Sequence, residues 1–288
     1  MLDSHIGVVT GANKGIGLAI VRQLALQYPK STLNNGSLLI YLTARDKARG
    51  ESALRSLSED TQLKVAKALV ADGGATDIKF HLLDITDENS LTAFVEHLKQ
   101  THETGVDFVI NNAAVALTGF DSKVVKTTLN CNYYSTMKAC HAFFPLVKPG
   151  GRLVNVSSSS GKLKQYSPQI RARFLASKSE DDVTSILQDF SSAVDVGKEK
   201  EAGFPSAAYA VSKAGLIGAT KAFALAKKEK GSSVLINSCC PGYVNTDMTR
   251  GNGTASPDEG AQTPVMLAIG DIQNQTGIFW RSEKHEEW

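Results

Sequence analysis

Cysteine is scarce in this chain of 288 residues, which contains only four copies of it. Two of them, Cys239 and Cys240, are adjacent, and Cys131 and Cys140 lie far upstream. This arrangement lacks the paired spacing of a structural zinc site and the density of a disulfide framework. We therefore expect reduced thiols, no bound metal and a cytoplasmic protein. The adjacent pair leaves two interpretations open, buried small apolar residues or a thiol that responds to oxidants.

Long apolar runs and a strong excess of one charge are also absent. No run approaches the roughly 20 apolar residues that a membrane-spanning helix needs. The segment from Met1 to His5 shows no basic stretch followed by an apolar one, so we expect no signal peptide. The formal net charge is only +2, far from the basic excess typical of nucleic-acid-binding proteins. We therefore expect neither a membrane nor a nucleic acid as partner.

Short β-branched runs alternate with longer amphipathic stretches along the whole chain. Strands are predicted at residues 6–10, 38–43, 78–83, 106–110, 152–156, 234–238 and 277–280. Helical spacing separates them, as at Ile16, Ile20 and Leu24. The alternation predicts one α/β domain over residues 1–288, with a doubly wound (Rossmann-type), mostly parallel, seven-stranded sheet and helices on both faces. Ligands of such sheets bind at the carboxyl ends of the strands.

A polar segment, residues 162–203, interrupts this alternation. Ser179 is followed three residues later by Asp182, which is the pattern of a helix N-cap. The apolar residues that come next share one helical face: Val183, Ile186, Leu187, Phe190 and Val194. The pattern predicts a helical insertion between a strand and the next helix.

A glycine-rich loop follows the first predicted strand and leads into a helix. Glycines allow a sharp turn and a close approach to a pyrophosphate, and the helix offers unpaired N–H groups to it. The predicted contacts to a dinucleotide are Gly11, Asn13, Lys14, Gly15, Ile16 and Gly17. A glycine-rich turn without a ligand is the alternative interpretation.

The second predicted strand ends at Arg45, and no acid occurs before Asp46. Sheets that bind NAD usually carry an acid at this point, which accepts hydrogen bonds from the ribose. Arg45 and Lys14 could instead bind a 2′-phosphate, since a hydrogen bond to a charged group contributes about 1.5–3 kcal/mol. We predict NADP(H) rather than NAD as cofactor. Two solvated surface cations are the alternative.

Polar residues also end the third and fourth strands. Asp84 can accept a hydrogen bond from an adenine amino group, or it can cap the helix that begins near Asp87. Asn111 and Asn112 can tie neighbouring loops together, and the small residues after them leave room for a cofactor. The predicted cofactor contacts here are Asp84, Ile85, Asn112, Ala113 and Ala114. An ordinary asparagine-rich turn is the alternative for the fourth strand.

A tyrosine four residues before a lysine places both side chains on one face of a helix. A neighbouring ammonium lowers the pKa of a phenol from its ordinary value of about 10. The chain contains two such pairs, Tyr134/Lys138 and Tyr209/Lys213. The second pair opens the helix that follows the strand at 152–156, so it returns to the carboxyl edge of the sheet. We predict that Tyr209 and Lys213 are catalytic and that the first pair is a packing feature.

Taken in order, these motifs resemble those of the short-chain dehydrogenases/reductases. The resemblance is carried by the glycine loop, Asn111-Asn112-Ala113, the serine run 157–160, Tyr209/Lys213 and Pro241-Gly242. Within that family the chain is most similar to the monomeric carbonyl reductases, in segments 43–46, 239–242 and 256–260 and in its long insertion. The resemblance implies NADPH-dependent reduction of ketones, aldehydes or quinones to alcohols.

The resemblance also implies a role for each site residue. Tyr209 would be the general acid, Lys213 would lower its pKa and hold the nicotinamide ribose, and Ser158 would bind the substrate oxygen. Asn132, in preference to Asn130, would hold a water linked to Lys213. The remaining cofactor contacts would be Val156, Tyr209, Lys213, Pro241, Gly242, Val244 and Thr246. The substrate would meet Ser158, Tyr209, Tyr243 and Met248, with Phe204 as a further candidate.

The sequence departs from the family pattern at two places. Ala114 stands where a glycine is usual, and the insertion lengthens the segment between Ser158 and Tyr209. Because the tyrosine helix forms the subunit interface of the family's oligomers, an insertion beside it predicts a monomer. Two other functions stay open, an NADP-linked alcohol or steroid dehydrogenase working oxidatively and a non-catalytic NADPH-binding regulator. No residue identifies the physiological substrate.

Overall fold

The computed structural model describes residues 3–288. The first two residues, which the sequence assigns to the same domain, lie outside the described residues. Eight strands form one sheet in the described chain: β1 Asp3–Val9, β2 Gly36–Ala44, β3 Thr76–Leu82, β4 Val106–Asn111, β5 Val147–Val156, β6 Leu235–Cys240, β7 Phe279–Arg281 and β8 Lys284–His285. Their order is β3-β2-β1-β4-β5-β6-β7-β8. All neighbours are parallel except β7 and β8. This is the doubly wound arrangement that the sequence predicts.

The eighth strand is the one difference from the predicted seven. It pairs antiparallel with β7 through Trp280 and His285. The two residues of the turn, Ser282 and Glu283, have φ values of 49° and 58°. Tight hairpins need such conformations and usually obtain them from asparagine or glycine. Because the turn here is serine and glutamate, the sequence carries no hairpin signal.

Ten α-helices are assigned within residues 3–288: α1 Gly15–Gln27, α2 Lys47–Ser58, α3 Thr61–Val65, α4 Glu88–Thr101, α5 Ser122–Leu129, α6 Thr136–Phe143, α7 Pro168–Ala176, α8 Glu180–Asp195, α9 Ala208–Glu229 and α10 Pro257–Ile269. Helices α1, α2, α3 and α10 contribute to the core on one face of the sheet, and α4 to α9 to the core on the other. Along β2, Leu38, Ile40 and Leu42 lie in one core, while Tyr41 lies in the other. Burial on both faces explains the nearly continuous apolar strands. None of the helices in this part of the chain is long and apolar enough to cross a membrane.

The insertion contains α7 and α8. Ser179 Oγ accepts from the backbone N–H of Asp182 at 3.1 Å, and the Asp182 carboxylate accepts from the Ser179 N–H at 2.9 Å. The five apolar residues that share the predicted face of α8 are all buried. Gly215 allows α8 to approach α9, because a Cβ there would lie 2.6 Å from Leu187. Helix α8 therefore covers the helix that carries Tyr209.

Candidate active site

The carboxyl ends of the parallel strands bring the predicted site residues to one edge of the sheet. The glycine loop follows β1, Asn112 follows β4, Ser158 follows β5, and Pro241 follows β6. Helix α9 begins at Ala208 and presents its first turns to the same edge. Residues from four strands and one helix thus surround a common space.

Ser158, Tyr209 and Lys213 come together as the sequence predicts. The Tyr209 hydroxyl lies near Ser158, whose side chain lowers the pKa of the phenol, and Lys213 Nζ lies 5.6 Å from the centroid of the Tyr209 ring. Lys213 is buried and donates to the backbone carbonyl of Val156 at 2.8 Å. An ammonium has three N–H donors, so this bond leaves two of them for a ligand.

Burial shifts the pKa values of Tyr209 and Lys213 in opposite directions. Burial, with a smaller effect of the nearby Cys240 thiol, raises the pKa of Tyr209 to about 12, against the lowering effect of Ser158. The phenol therefore holds its proton at neutral pH. Burial also lowers the pKa of Lys213 to about 8, against the opposite effect of the neighbouring cysteine thiols. That Lys213 lowers the Tyr209 pKa stays a prediction: the ammonium lies beside the Tyr209 ring and donates to the Val156 carbonyl.

The serine turn after β5 is fixed directly to α9. Ser157 Oγ donates to the backbone carbonyl of Lys213 at 2.9 Å. Ser158 Oγ accepts from the backbone N–H of Ser160 at 3.2 Å. A Cβ on Gly161 would lie 2.6 Å from the backbone nitrogen of Ala214, so only glycine allows the turn to lie this close to α9. The turn and the catalytic helix therefore hold each other in place.

Asn132 lies in a π-helical turn, Asn130–Ser135, between α5 and α6. Its side chain is buried; Oδ1 accepts from Val115 N at 2.8 Å, and Nδ2 donates to Val115 O at 2.8 Å and to Ser212 Oγ at 3.1 Å. Ser212 in turn donates to the backbone carbonyl of Tyr209 at 2.7 Å. Asn130, the other candidate, is exposed. Asn132 thus connects the loop after β4 to the first turns of α9.

The glycine loop leaves a shallow surface beside α1. Gly11 and Gly15 have φ values of 62° and 55°, and a Cβ on Gly17 would lie 2.4 Å from the Gly11 carbonyl oxygen. No side chain caps the N-terminus of α1, and its first turn contains no acid. The exposed N–H groups and the positive end of the helix dipole fit a pyrophosphate.

Hydrogen bonds tie this loop to the loop after β4. Thr10 Oγ1 accepts from the backbone N–H groups of Asn112 and Ala113, each at 3.0 Å. Asn112 Nδ2 donates to the carbonyl oxygens of Thr10 and Gly11 at 3.0 and 3.1 Å. The two loops therefore form one rigid surface, as the asparagines predict.

Cations and two acids, Asp46 and Asp247, lie near the end of β2. Asp46 caps α2, accepting from the backbone N–H of Arg49 at 2.9 Å, and Arg45 is exposed. A cleft of about 480 Å³ lies beside this point, lined by Asn13, Lys14, Leu18, Arg49, Ser52, Ala53, Ser56 and Asp247. Lys14 and Arg49, rather than Arg45, line it. The sequence reasoning missed Arg49, although a helix that begins at Lys47 places Arg49 in its first turn.

Comparison with known proteins gives a full-length match. The family model described as "short chain dehydrogenase" matches residues 5–179 and 193–256. The chain belongs to this family. It is 36% identical to carbonyl reductase (NADPH) 1 of Pongo abelii and to that of Homo sapiens, over 99% of this chain and 98% of each relative. Its fold is also similar to that of salutaridine reductase from Papaver somniferum, with a TM-score of 0.80, 25% identity and coverage of 96% of this chain and 99% of the other.

The other tyrosine–lysine pair of this short-chain dehydrogenase, Tyr134/Lys138, lies apart from the site. Tyr134 is half-buried and stacks edge-on against Tyr133, with ring centroids 5.1 Å apart. Lys138 is exposed, and its Nζ lies 4.0 Å from Glu88 on α4. The pair neither shares a hydrogen bond nor faces the serine turn.

Asp84 does not cap α4, which was one of the two roles that the sequence left open for it. Asp87 caps α4 instead, accepting from the backbone N–H of Asn89 at 2.9 Å. The Asp84 carboxylate accepts from the backbone N–H of Thr86 at 2.9 Å, and the adjacent Ile85 is buried.

Ala114, the departure from the usual glycine, does not have a positive φ. A methyl group there therefore brings no backbone strain.

The segment after β6 passes beside the catalytic helix. Gly242 has a φ of 88° and turns the chain, and Val244 is buried. Tyr243 and Met248 are 55% and 45% exposed, and their contact with a substrate stays a prediction. Phe204 is a correction: it is 3% exposed and packs in the core of the insertion, 5.4 Å from the Phe190 ring.

Thr246 lies in this segment, and the two adjacent cysteines end the strand that precedes it. Thr246 comes directly before a short 3₁₀ turn, and its backbone N–H donates to Thr249 Oγ1 at 3.1 Å. Cys239 and Cys240 are both buried, and burial raises the pKa of the Cys239 thiol far above its usual range. This environment favours the interpretation of the pair as packing residues over reactive thiols. No cluster of three or more potential metal ligands occurs among residues 3–288.

Proposed function

We propose that this protein is an NADPH-dependent carbonyl reductase that converts ketones, aldehydes or quinones to alcohols. The observation that carries the proposal is the phenol of Tyr209, protonated at neutral pH and placed near Ser158 and beside the ammonium of Lys213. This arrangement can give a proton to a carbonyl oxygen. The carbonyl reductases that the chain resembles over 99% of its length support the same assignment.

A phosphorylated dinucleotide fits beside the glycine loop, the uncapped N-terminus of α1 and the cations near the end of β2. We assign its binding to the glycine loop (Gly11, Asn13, Lys14, Gly15, Ile16, Gly17), to Arg45, Asp84, Ile85, Asn112, Ala113, Ala114 and Val156, to Tyr209 and Lys213, and to Pro241, Gly242, Val244 and Thr246. When bound, NADPH supplies the hydride. Lys14 is paired with Asp247, with Lys14 Nζ 2.6 Å from Asp247 Oδ2, so a phosphate must take the place of this carboxylate.

The residues of the chain supply the proton and hold the substrate. Ser158 and Tyr209 both direct hydroxyl groups to the substrate oxygen, and Tyr209 gives up its proton as the alkoxide forms. The Lys213 ammonium then stabilises the phenolate and, with its remaining N–H donors, binds the nicotinamide ribose. Asn132 fixes the turn of α9 through Ser212, close to where a water would reach Lys213. Tyr243 and Met248 present apolar surface to the substrate.

Consumption of NADPH and, separately, of NADH by the purified protein tests the assignment, with quinones, isatin, aldehydes and ketones as substrates. We expect turnover with NADPH and little with NADH. NADP⁺ reduction by alcohols or steroids, without carbonyl reduction, would favour an oxidative dehydrogenase. Tight NADPH binding without turnover in either direction would favour a non-catalytic regulator.

The activity should fall as the pH rises above about 8. Lys213, with its pKa near 8, is charged below that value and neutral above it, whereas Tyr209 stays protonated until about pH 12. A neutral amine cannot stabilise the phenolate, so the kcat/KM for NADPH, which reports the free enzyme, should decline on the alkaline side. A profile that stays flat well beyond pH 8 would show that Lys213 does not act as a cation.

We also propose that the protein is a cytoplasmic monomer. Helix α9 is packed against α8 of the insertion and has Trp288 over Gly218, so its outer face is occupied by the same chain. Light scattering at micromolar concentration should give the mass of one chain, 30.8 kDa. A dimer or tetramer would refute the proposal.

A further inference from the structure

Trp288 connects three segments that the proposed reaction uses. Its indole Nε1 donates to the backbone carbonyl of Gly161 at 3.1 Å. Its ring lies over Gly218 of α9, where a Cβ would approach it to 2.7 Å. It also meets Phe174 of α7 edge-on, with ring centroids 5.5 Å apart. One side chain therefore contacts the serine turn, the catalytic helix and the insertion.

The residues before Trp288 are themselves anchored to the sheet and to the serine turn. The backbone N–H of Glu286 donates to the Phe279 carbonyl at 2.9 Å. The Glu286 carboxylate forms an ion pair with Lys162, the residue after Gly161, and lies 3.8 Å from Arg281. We refer to residues 286–288 as the strap. The strap is held by β7 on one side and binds the serine turn on the other.

The turn that the strap binds leads directly to the substrate-binding hydroxyl. Gly161 donates its N–H to the Ser158 carbonyl at 3.0 Å, and the Ser158 side chain lies near the Tyr209 hydroxyl. Gly161 also lies directly on the backbone of Lys213 and Ala214. A shift of Gly161 would therefore move Ser158 relative to the tyrosine.

We propose that Trp288 is a positioning residue, which holds the serine turn against α9 so that the Ser158 and Tyr209 hydroxyl groups meet the same substrate oxygen. This proposal rests on the proposed carbonyl reductase function. Small displacements of a reacting group can lower the rate by up to about 100-fold. The strap would thus affect turnover without contacting the substrate or the cofactor.

The first test compares two tryptophan-to-phenylalanine variants. Trp288→Phe keeps a smaller aromatic ring, and it removes the donor to Gly161 together with the outer ring atoms that lie over Gly218. Trp280→Phe is the matched control, since Trp280 is buried in β7 and its Nε1 has no hydrogen-bond partner in the described chain. We expect kcat for carbonyl reduction to fall about threefold to tenfold in Trp288→Phe, the size of one lost hydrogen bond. The Kd for NADPH should stay within about twofold, and Trp280→Phe should keep the wild-type kcat.

Hydrogen exchange gives a second measurement that does not depend on turnover. The amides of residues 157–163 should exchange faster in Trp288→Phe than in the wild type, and at the wild-type rate in Trp280→Phe. Unchanged exchange would overturn the proposal, and so would faster exchange with a normal kcat. If the wild type reduces no carbonyl compound, the proposed function fails, whereas the exchange comparison still decides whether Trp288 holds the turn.

Discussion

Replacing Tyr209 with phenylalanine should lower kcat for carbonyl reduction by about 100-fold to 10,000-fold, the usual contribution of a positioned proton donor. The change removes one oxygen and keeps the half-buried ring. Only the hydroxyl, which lies near Ser158, is lost. The glycine surface, the end of α1 and Lys213 remain in place, so the Kd for NADPH should change by less than about twofold. Steady-state kinetics and a fluorescence titration with NADPH measure the two quantities.

The chain provides its own control for this substitution. Tyr134 has the same spacing from a lysine, but it lies against Tyr133 and away from the serine turn. Tyr134→Phe should therefore retain the wild-type kcat. A substantial rate in Tyr209→Phe would mean that another group donates the proton. Equal losses in the two variants would show that the loss arises from folding rather than from the acid.

Reversing the charge of Arg45 should weaken NADPH binding by about 100-fold and affect NADH much less. One hydrogen bond to a charged phosphate contributes about 1.5–3 kcal/mol, which corresponds to roughly tenfold to 150-fold in affinity. In Arg45→Asp the new carboxylate also repels the 2′-phosphate, whereas it can accept a hydrogen bond from the ribose of NADH. The ratio of the Kd for NADH to the Kd for NADPH should therefore decrease.

Two further charge reversals locate the phosphate site. Arg55 lies on α2, is exposed and is not one of the residues that line the cleft, so Arg55→Asp should leave the preference for NADPH unchanged. Arg49 lines the cleft with Lys14, so Arg49→Asp shows whether this residue shares the phosphate. If Arg45→Asp keeps the wild-type preference, the phosphate is bound by Lys14 and Arg49 alone, and the assignment of Arg45 is wrong.

The sequence predicts the sheet and the central catalytic residues because they depend on local patterns. Apolar runs predict the strands, and the capping residues Ser179 and Asp182 predict the start of α8. The position of Tyr209 after β5 distinguishes it from Tyr134, which comes before that strand. Each of these features needs only residues that are close in the chain or the order of elements along it. The doubly wound fold and the family comparison confirm the predicted sheet and the family, whereas the catalytic roles stay predictions.

Features that depend on distant contacts could not be predicted. Phe204 looks like a pocket residue by its place in the chain, but it packs against Phe190 and is buried. The partner of Lys213 is a backbone carbonyl, that of Val156, and a carbonyl has no sequence signature. The contact between Trp288 and Gly161 joins segments that are 127 residues apart. Only the folded chain shows these three relationships.

The π-helical turn Asn130–Ser135 makes the number of residues in this segment as important as their identity. A π turn accommodates one more residue than an α turn, and each residue of a helix advances the side chains by about 100°. Deleting one residue here would allow α5 and α6 to join as one regular helix, and Asn132 would rotate away from Val115 and Ser212. A homologous sequence can therefore lack one residue in this segment and still contain the asparagine. In such a chain the asparagine would no longer face the helix that carries Tyr209.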